Sequence, residues 1–161
     1  MCEFHDLRGL EWENTHSHSY YSNIMTPDCV ISRNDIAERA VELGHKTLAC
    51  LEHGYGGNVF EAYGIAKEHG LKLIFGTEFY YVKDRFEKDK TNSHVLVLAK
   101  NQNGQEALNR LISEANTTGF YIKPRIDEEL LFSLPKDDVL VTTACIASPV
   151  NLYDAEYAKH F

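Results

Sequence analysis

The chain has no Cys-x-x-Cys pair; its four cysteines, Cys2, Cys29, Cys50 and Cys145, are scattered along 161 residues. That spacing excludes a zinc knuckle or a dithiol redox motif and fits a reducing cytosol. No apolar run is longer than a strand, so neither a signal peptide nor a membrane span is expected, and the sequence reads as cytoplasmic. An excess of basic charge is also missing: 16 Lys and Arg face 24 Asp and Glu, for a net charge of −8. The surface as a whole therefore does not advertise nucleic-acid binding, although bound cations can reverse the field at one place. An acidic total suits a protein that collects divalent cations. A Gly-x-Ser-x-Gly elbow and a Gly-x-x-x-x-Gly-Lys-Ser/Thr loop are both absent, so neither a serine-hydrolase elbow nor a nucleotide-binding P-loop is indicated. No repeat, low-complexity tract or linker interrupts the chain, whose length suits one domain with a sizeable core.

What is present is an alternation of strand and helix signals. Trp12 to His18 reads as a first strand. Asn34 or Asp35 caps a predicted helix through Ile36, Ala37, Ala40, Val41 and Leu43, stopped by Gly44. Thr47 to Leu51 is a short buried strand that carries Cys50 into the core. Asn58 caps a second helix, with Phe60, Ala62, Ile65 and Ala66 inward and Gly70 at its end. Leu71 to Phe75 is a strand closed by Gly76, and Phe79 to Val82 extends beyond it. Lys83 to Ser93 is charged and reads as a loop. Val95 to Ala99 and Val139 to Thr143 are further strands, separated by a helix over Gln105 to Ala115, and a last helix starts at Asn151. Apolar strands alternating with amphipathic helices predict a parallel α/β protein. About five strands are few for closure, so the sheet is either open or the leading part of a larger barrel; the end of the chain at Phe161 favours the second.

In such folds functional side chains gather at the carboxyl ends of strands. His16 and His18 are two residues apart and share a face of the first strand. Glu52 and His53 follow the second strand, Glu78 the third and Cys145 the last. His94 precedes its strand and falls on the wrong edge unless that strand runs in reverse or bends. Taken singly, most of these residues have ordinary explanations: a salt-bridged Glu78, a strand-edge His94, a core Cys145. His53 is different, because Gly54, Gly56 and Gly57 follow it and let the backbone approach something closely. His5, His45, His69 and His160 read as surface or helix-end residues. A joint set of His, carboxylate and Cys suits zinc, manganese or iron. Paired ions of this kind serve phosphoester hydrolysis, clamping phosphate oxygens and lowering the pKa of a bound water.

The segments His16-Ser17-His18-Ser19-Tyr20-Tyr21-Ser22, Cys50-Leu51-Glu52-His53-Gly54, Gly70 to Phe79 and His94 to Ala99 resemble the PHP (polymerase and histidinol phosphatase) family. Gly119-Phe120-Tyr121-Ile122-Lys123-Pro124-Arg125-Ile126-Asp127 and Thr142 to Ala147 are similar to the amino-terminal PHP domain of C-family replicative DNA polymerases. The resemblance runs from about residue 14 to 150. It implies a distorted seven-stranded (β/α) barrel holding up to three divalent ions, zinc or manganese, of which residues 1–161 are the amino-terminal part. It makes His16, His18, His53, Glu78, His94 and Cys145 metal ligands, with Glu78 bridging, and His16, His18, His53 and Glu78 the catalytic group. An acidic ligand shortly after the first motif is usual in many polymerases; Met25 occupies the nearest spacing, and Asp28 is the candidate. Glu52 stands where the family usually has Asp, which implies a role orienting the neighbouring imidazole rather than direct coordination. The family's late Asp-x-His has no counterpart, so the final strands are expected outside this chain.

The function implied is metal-dependent phosphodiester hydrolysis of the 3′→5′ exonuclease type within a DNA polymerase. Its partners would be DNA and the remaining polymerase, in the same chain or a complementary split subunit, with no membrane. Lys123 and Arg125 are candidates for nucleic-acid contact, or for structural salt bridges. Two rival readings are a non-catalytic structural module of the polymerase and a stand-alone phosphatase of the histidinol-phosphate kind.

Overall fold

The computed structural model describes residues 11–25, 27 and 29–152. Helix α1 (Arg33–Glu42) starts from a Ser32 N-cap in a capping box with Asp35, two or three residues before the predicted cap. Strand β1 (Thr47–Ala49) follows, then α2 (Val59–Glu68), capped as predicted by Asn58. β2 (Lys72–Ile74) and β3 (Gly76–Tyr81) are nearly continuous. β4 (Ser93–Ala99), α3 (Gln102–Thr117), a β5–β6 hairpin (Phe120–Tyr121, Lys123–Ile126), α4 (Glu128–Phe132), β7 (Val139–Thr143) and α5 (Pro149–Leu152) complete the order. The helix expected from Asn151 onward thus begins earlier, and its residues past 152 lie outside the described residues. No described helix is long and apolar enough to cross a membrane.

β1 and β2 pair in parallel, and a second sheet runs in the order β5-β6-β3-β4-β7. The two sheets meet where the His53–Glu78 bridge continues the line of β1 alongside β3. The sheet is mixed rather than wholly parallel: β4 is antiparallel to both β3 and β7. The reason lies in the connection, because a parallel return needs a crossover of a dozen or more residues, usually helical. The segment between β3 and β4 is a charged loop without a helix, so the chain turns back.

No strand forms over Trp12 to His18. Side chains take the place of its ladder. The Glu13 carboxylate accepts from the amides of Lys46 and Thr47 at the start of β1, and Ser17 donates its hydroxyl to Ala49 O. One backbone bond remains, from Leu51 N to Ser17 O at 2.8 Å. His45, expected at the surface or a helix end, closes the end of α1 through its N–H to Ala40 O, and its ring is buried, edge-on to Trp12 with Nδ1 3.1 Å from Trp12 O. His69 is at a helix end as expected.

β3 is buried along its whole length. Phe79 and Tyr81 join Val95, Val97, Leu108, Leu111 and Ile126 in the main core, which α3 covers. The alternate residues, Glu78 and Tyr80, face the other way, and there Leu51, Leu96 and Leu98 form a smaller apolar floor. A third cluster of Ala37, Ala40, Leu48, Cys50, Ala66 and Leu71 joins α1 and α2 to β1.

Candidate metal centre

The site residues are delivered by several different pieces of this frame. The extended segment before the 3-10 turn Tyr20–Ile24 brings His16 and His18, the end of β1 brings His53, and β3 brings Glu78. β4 contributes His94, whose register partner on β3 is Tyr80. The reversal of β4 puts its first residues beside the last residues of β3, which places His94 on the functional edge. β7 ends beside the start of β4, so Cys145 emerges next to His94.

The donors converge on the two oxygens of Glu78. His16 Nε2 and His18 Nε2 lie 2.7 and 2.9 Å from Oε2 and 3.0 Å from each other. On the other side, His94 Nδ1 is 2.6 Å from Oε1, with Cys145 Sγ 3.6 Å from that ring nitrogen. His53 Nδ1 is 3.6 Å from Oε1, and its ring stacks on His18 at 4.1 Å between centroids. Two donor sets therefore share one carboxylate: His16, His18 and Glu78, and Glu78, His94 and Cys145. Protons cannot satisfy two imidazole nitrogens and a carboxylate oxygen all within 3.0 Å of one another. A cation that accepts all three lone pairs can, and mixed N, O and S donors match zinc or a similar ion. Burial works to raise the Glu78 carboxyl. Close contacts with the rings of His16, His18 and His94, with the charge of His53, outweigh it and hold the group well below the usual carboxylate range. Glu78 is thus anionic at neutral pH, as a ligand must be.

Around the donors lies a polar shell that is almost wholly buried. Glu52 accepts from Ser19 Oγ at 2.5 Å, Ser22 Oγ at 2.7 Å and Arg33 Nη2 at 3.0 Å. Ser22 Oγ lies 3.0 Å from His18 Nδ1, so the imidazole that Glu52 reaches through this hydroxyl is that of His18. Ser22 and Arg33 are additions to the residues singled out from sequence. Both left a signal. Ser22 follows His18 by four residues, the reach of one helical turn. Arg33 places a cation in the first turn of α1, where the helix dipole disfavours it, so a carboxylate partner was to be expected. The glycines after His53 approach protein rather than ligand. A Cβ on Gly54 would lie 2.6 Å from Pro124, and one on Gly57, at φ +59, would collide with the Arg33 guanidinium.

Arg125 corrects an expectation. It is 3% exposed and donates to the carbonyls of Gly119, Arg85, Glu87 and Asp89, holding the Lys83–Asn92 loop against β6. It is not available to nucleic acid, and its partners are carbonyls rather than the acids of a salt bridge. Lys123 differs: its ammonium sits 4.2 Å from the centre of the Tyr80 ring, which in turn packs edge-on to His94 at 5.2 Å. Asp28 lies outside the described residues.

The description of the PHP domain family matches residues 14–160 of this α/β chain. The chain belongs to the PHP domain family. Its relatives narrow the comparison to alpha subunits of DNA polymerase III. It is 30% identical to DNA polymerase III subunit alpha of Aquifex aeolicus over 154 residues, covering 89% of this chain and 13% of that protein. The same subunit of Chlamydia trachomatis is 34% identical over 147 residues, covering 88% and 12%. The chain spans about an eighth of the length of these relatives. Among solved structures, an amidohydrolase from Chromobacterium violaceum overlays 52% of this chain and 29% of its own at 17% identity, with a TM-score of 0.37.

Proposed function

We propose that residues 1–161 are the hydrolytic module of a C-family replicative DNA polymerase and cleave phosphodiesters at the 3′ end of DNA. The observation that carries this reading is the division of Glu78, with two imidazoles on Oε2 and an imidazole and a thiol on Oε1. His16, His18 and Glu78 would hold one divalent ion, and Glu78, His94 and Cys145 a second, with zinc and manganese the fitting metals. When bound, such ions supply Lewis acidity toward phosphate oxygens and a water nucleophile at neutral pH. His53, flat against His18, fixes that ring and adds a further nitrogen donor, and Asp28 is kept as a further ligand on the family pattern. Lys123, on the Tyr80 ring, is the side chain placed to meet phosphate charge arriving at the site. DNA and the rest of a polymerase, covalent or not, are the partners.

The test is metal content together with release of nucleotides from 3′-ended single-stranded DNA. Loaded with zinc or manganese, the protein should bind two ions and release nucleotides. Glu78→Gln should lose both ions, and Cys145→Ser should weaken one. A loaded protein whose nucleotide release is unchanged by His16→Ala would overturn the catalytic reading. Retention of both ions with no hydrolysis would favour the structural-module alternative.

A further inference from the structure

We propose that Ser22 is a positioning residue whose hydroxyl, aimed by Glu52, keeps the His18 ring proton on Nδ1 and so leaves Nε2 bare for a cation. The proposal rests on the reading of His18 as a metal ligand and goes beyond it, because it assigns what sets that ligand's tautomer.

The argument is a count of protons. Ser22 is fully buried and has one proton to give and two lone pairs to offer. Three groups surround its oxygen: Glu52 Oε2 at 2.7 Å, His18 Nδ1 at 3.0 Å and the His53 amide at 3.3 Å. A carboxylate only accepts and an amide only donates. The hydroxyl proton therefore goes to Glu52, one lone pair takes the His53 N–H, and the other is left for His18. That last contact is a hydrogen bond only if His18 Nδ1 carries the proton. The arrangement cannot turn round, because Glu52 is itself pinned: Arg33 donates to its Oε1 through both Nε and Nη2, and Ser19 meets each oxygen through its hydroxyl or its amide. Arg33 is in turn clamped between Tyr21, 4.4 Å from the ring centre, and Asn58 O. The far nitrogen, His18 Nε2, is the atom that points at Glu78 Oε2. A ring nitrogen that must be unprotonated to bind a metal is thus set by a hydroxyl on the opposite side of the ring.

Glu52→Gln makes the sharpest test. Arg33 would keep the amide oxygen at the Oε1 position, so the NH2 group would face Ser22. The hydroxyl would then turn to donate to His18 Nδ1, driving the ring proton onto Nε2. Zinc titration and ring-nitrogen NMR of His18 in the 161-residue protein are the measurements. In the zinc-loaded wild type, His18 should show a single Nδ1–H that exchanges slowly with solvent. Ser22→Ala and Glu52→Gln should raise the zinc dissociation constant about 10- to 100-fold, and in Ser22→Ala the Nδ1–H should exchange fast. Folded variants that bind zinc as the wild type does would overturn the proposal. So would a wild-type His18 that binds zinc through Nδ1, a result that needs no variant to fold. If His18→Ala binds zinc unchanged while the wild-type Nδ1–H is protected, the ligand reading fails and the relay stands.

Discussion

Two buried arginine–carboxylate clusters stabilise this molecule, and they do different things. In the first, Arg33 meets Glu52 with both side chains almost fully enclosed. In the second, Arg85 Nη1 donates to both oxygens of Asp127 at 2.7 and 2.8 Å and to Glu129 at 2.8 Å, while Arg125 gathers carbonyls of the same loop. Either cluster satisfies the rule that an interior charge needs a counter-charge and hydrogen bonds. What separates them is the next group along. Glu52 passes its interaction through Ser22 to the ring of His18, whereas Asp127 passes it to Leu130 N and caps α4. A buried ion pair therefore declares its purpose through what lies beyond it.

The comparison can be broken most forcefully at Arg33. Arg33→Met leaves Glu52 buried without its counter-charge and should cost about 3–5 kcal/mol by urea denaturation. It should also weaken zinc binding. A double change of Arg33→Met with Glu52→Met should recover part of the stability and none of the zinc affinity. Next comes Arg125→Ala, which strips the carbonyls of Glu87 and Asp89 of their donor and should cost about 1–3 kcal/mol. Hydrogen exchange should rise in the Lys83–Asn92 loop while the zinc dissociation constant stays put. A loss of zinc affinity equal to that of Arg33→Met would show that the two clusters are not separate. Gly57→Ala should cost about 1–3 kcal/mol by straining a positive-φ position and displacing Arg33. The smallest effect is a reporter rather than a perturbation. Burial pushes the Cys50 thiol up to about 12, Arg33 draws it down and Glu52 raises it again. At pH 8 that thiol is protonated, so iodoacetamide should modify exposed Cys145 first and Cys50 only as the first cluster opens. Cys50 reacting as fast as Cys145 in the native protein would contradict its enclosure.

Much of this was legible in the sequence because local signals agreed with tertiary ones. Asn58 caps α2 because its side chain accepts from Glu61 N, and Gly44 and Gly70 end helices with the positive φ that glycine tolerates. Glu78 and His94 were legible as polar residues set into apolar strands. The direction of β4 was half-legible: the helix-free run from Lys83 to Ser93 already ruled out an ordinary parallel crossover, although the strand alternation elsewhere argued for one. The missing first strand was not legible, because Glu13 and Ser17 use side chains where a ladder uses backbone. Arg125 looked like a nucleic-acid contact because a basic residue beside Lys123 says nothing of how deeply it is buried. Apart from Gly119, the partners of Arg125 lie 36 to 40 residues earlier in the chain, too far for any local pattern to reveal.

β3 has no idle side. Its odd-numbered residues Phe79 and Tyr81 belong to the apolar interior beneath α3, and its even-numbered Glu78 and Tyr80 belong to the ring of imidazoles. A slip of one residue against β4 would drive an acid into oil and a phenyl group among histidines. The alignment of those two strands is thus a condition of the chemistry as much as of the architecture, and neither can drift while the other is kept.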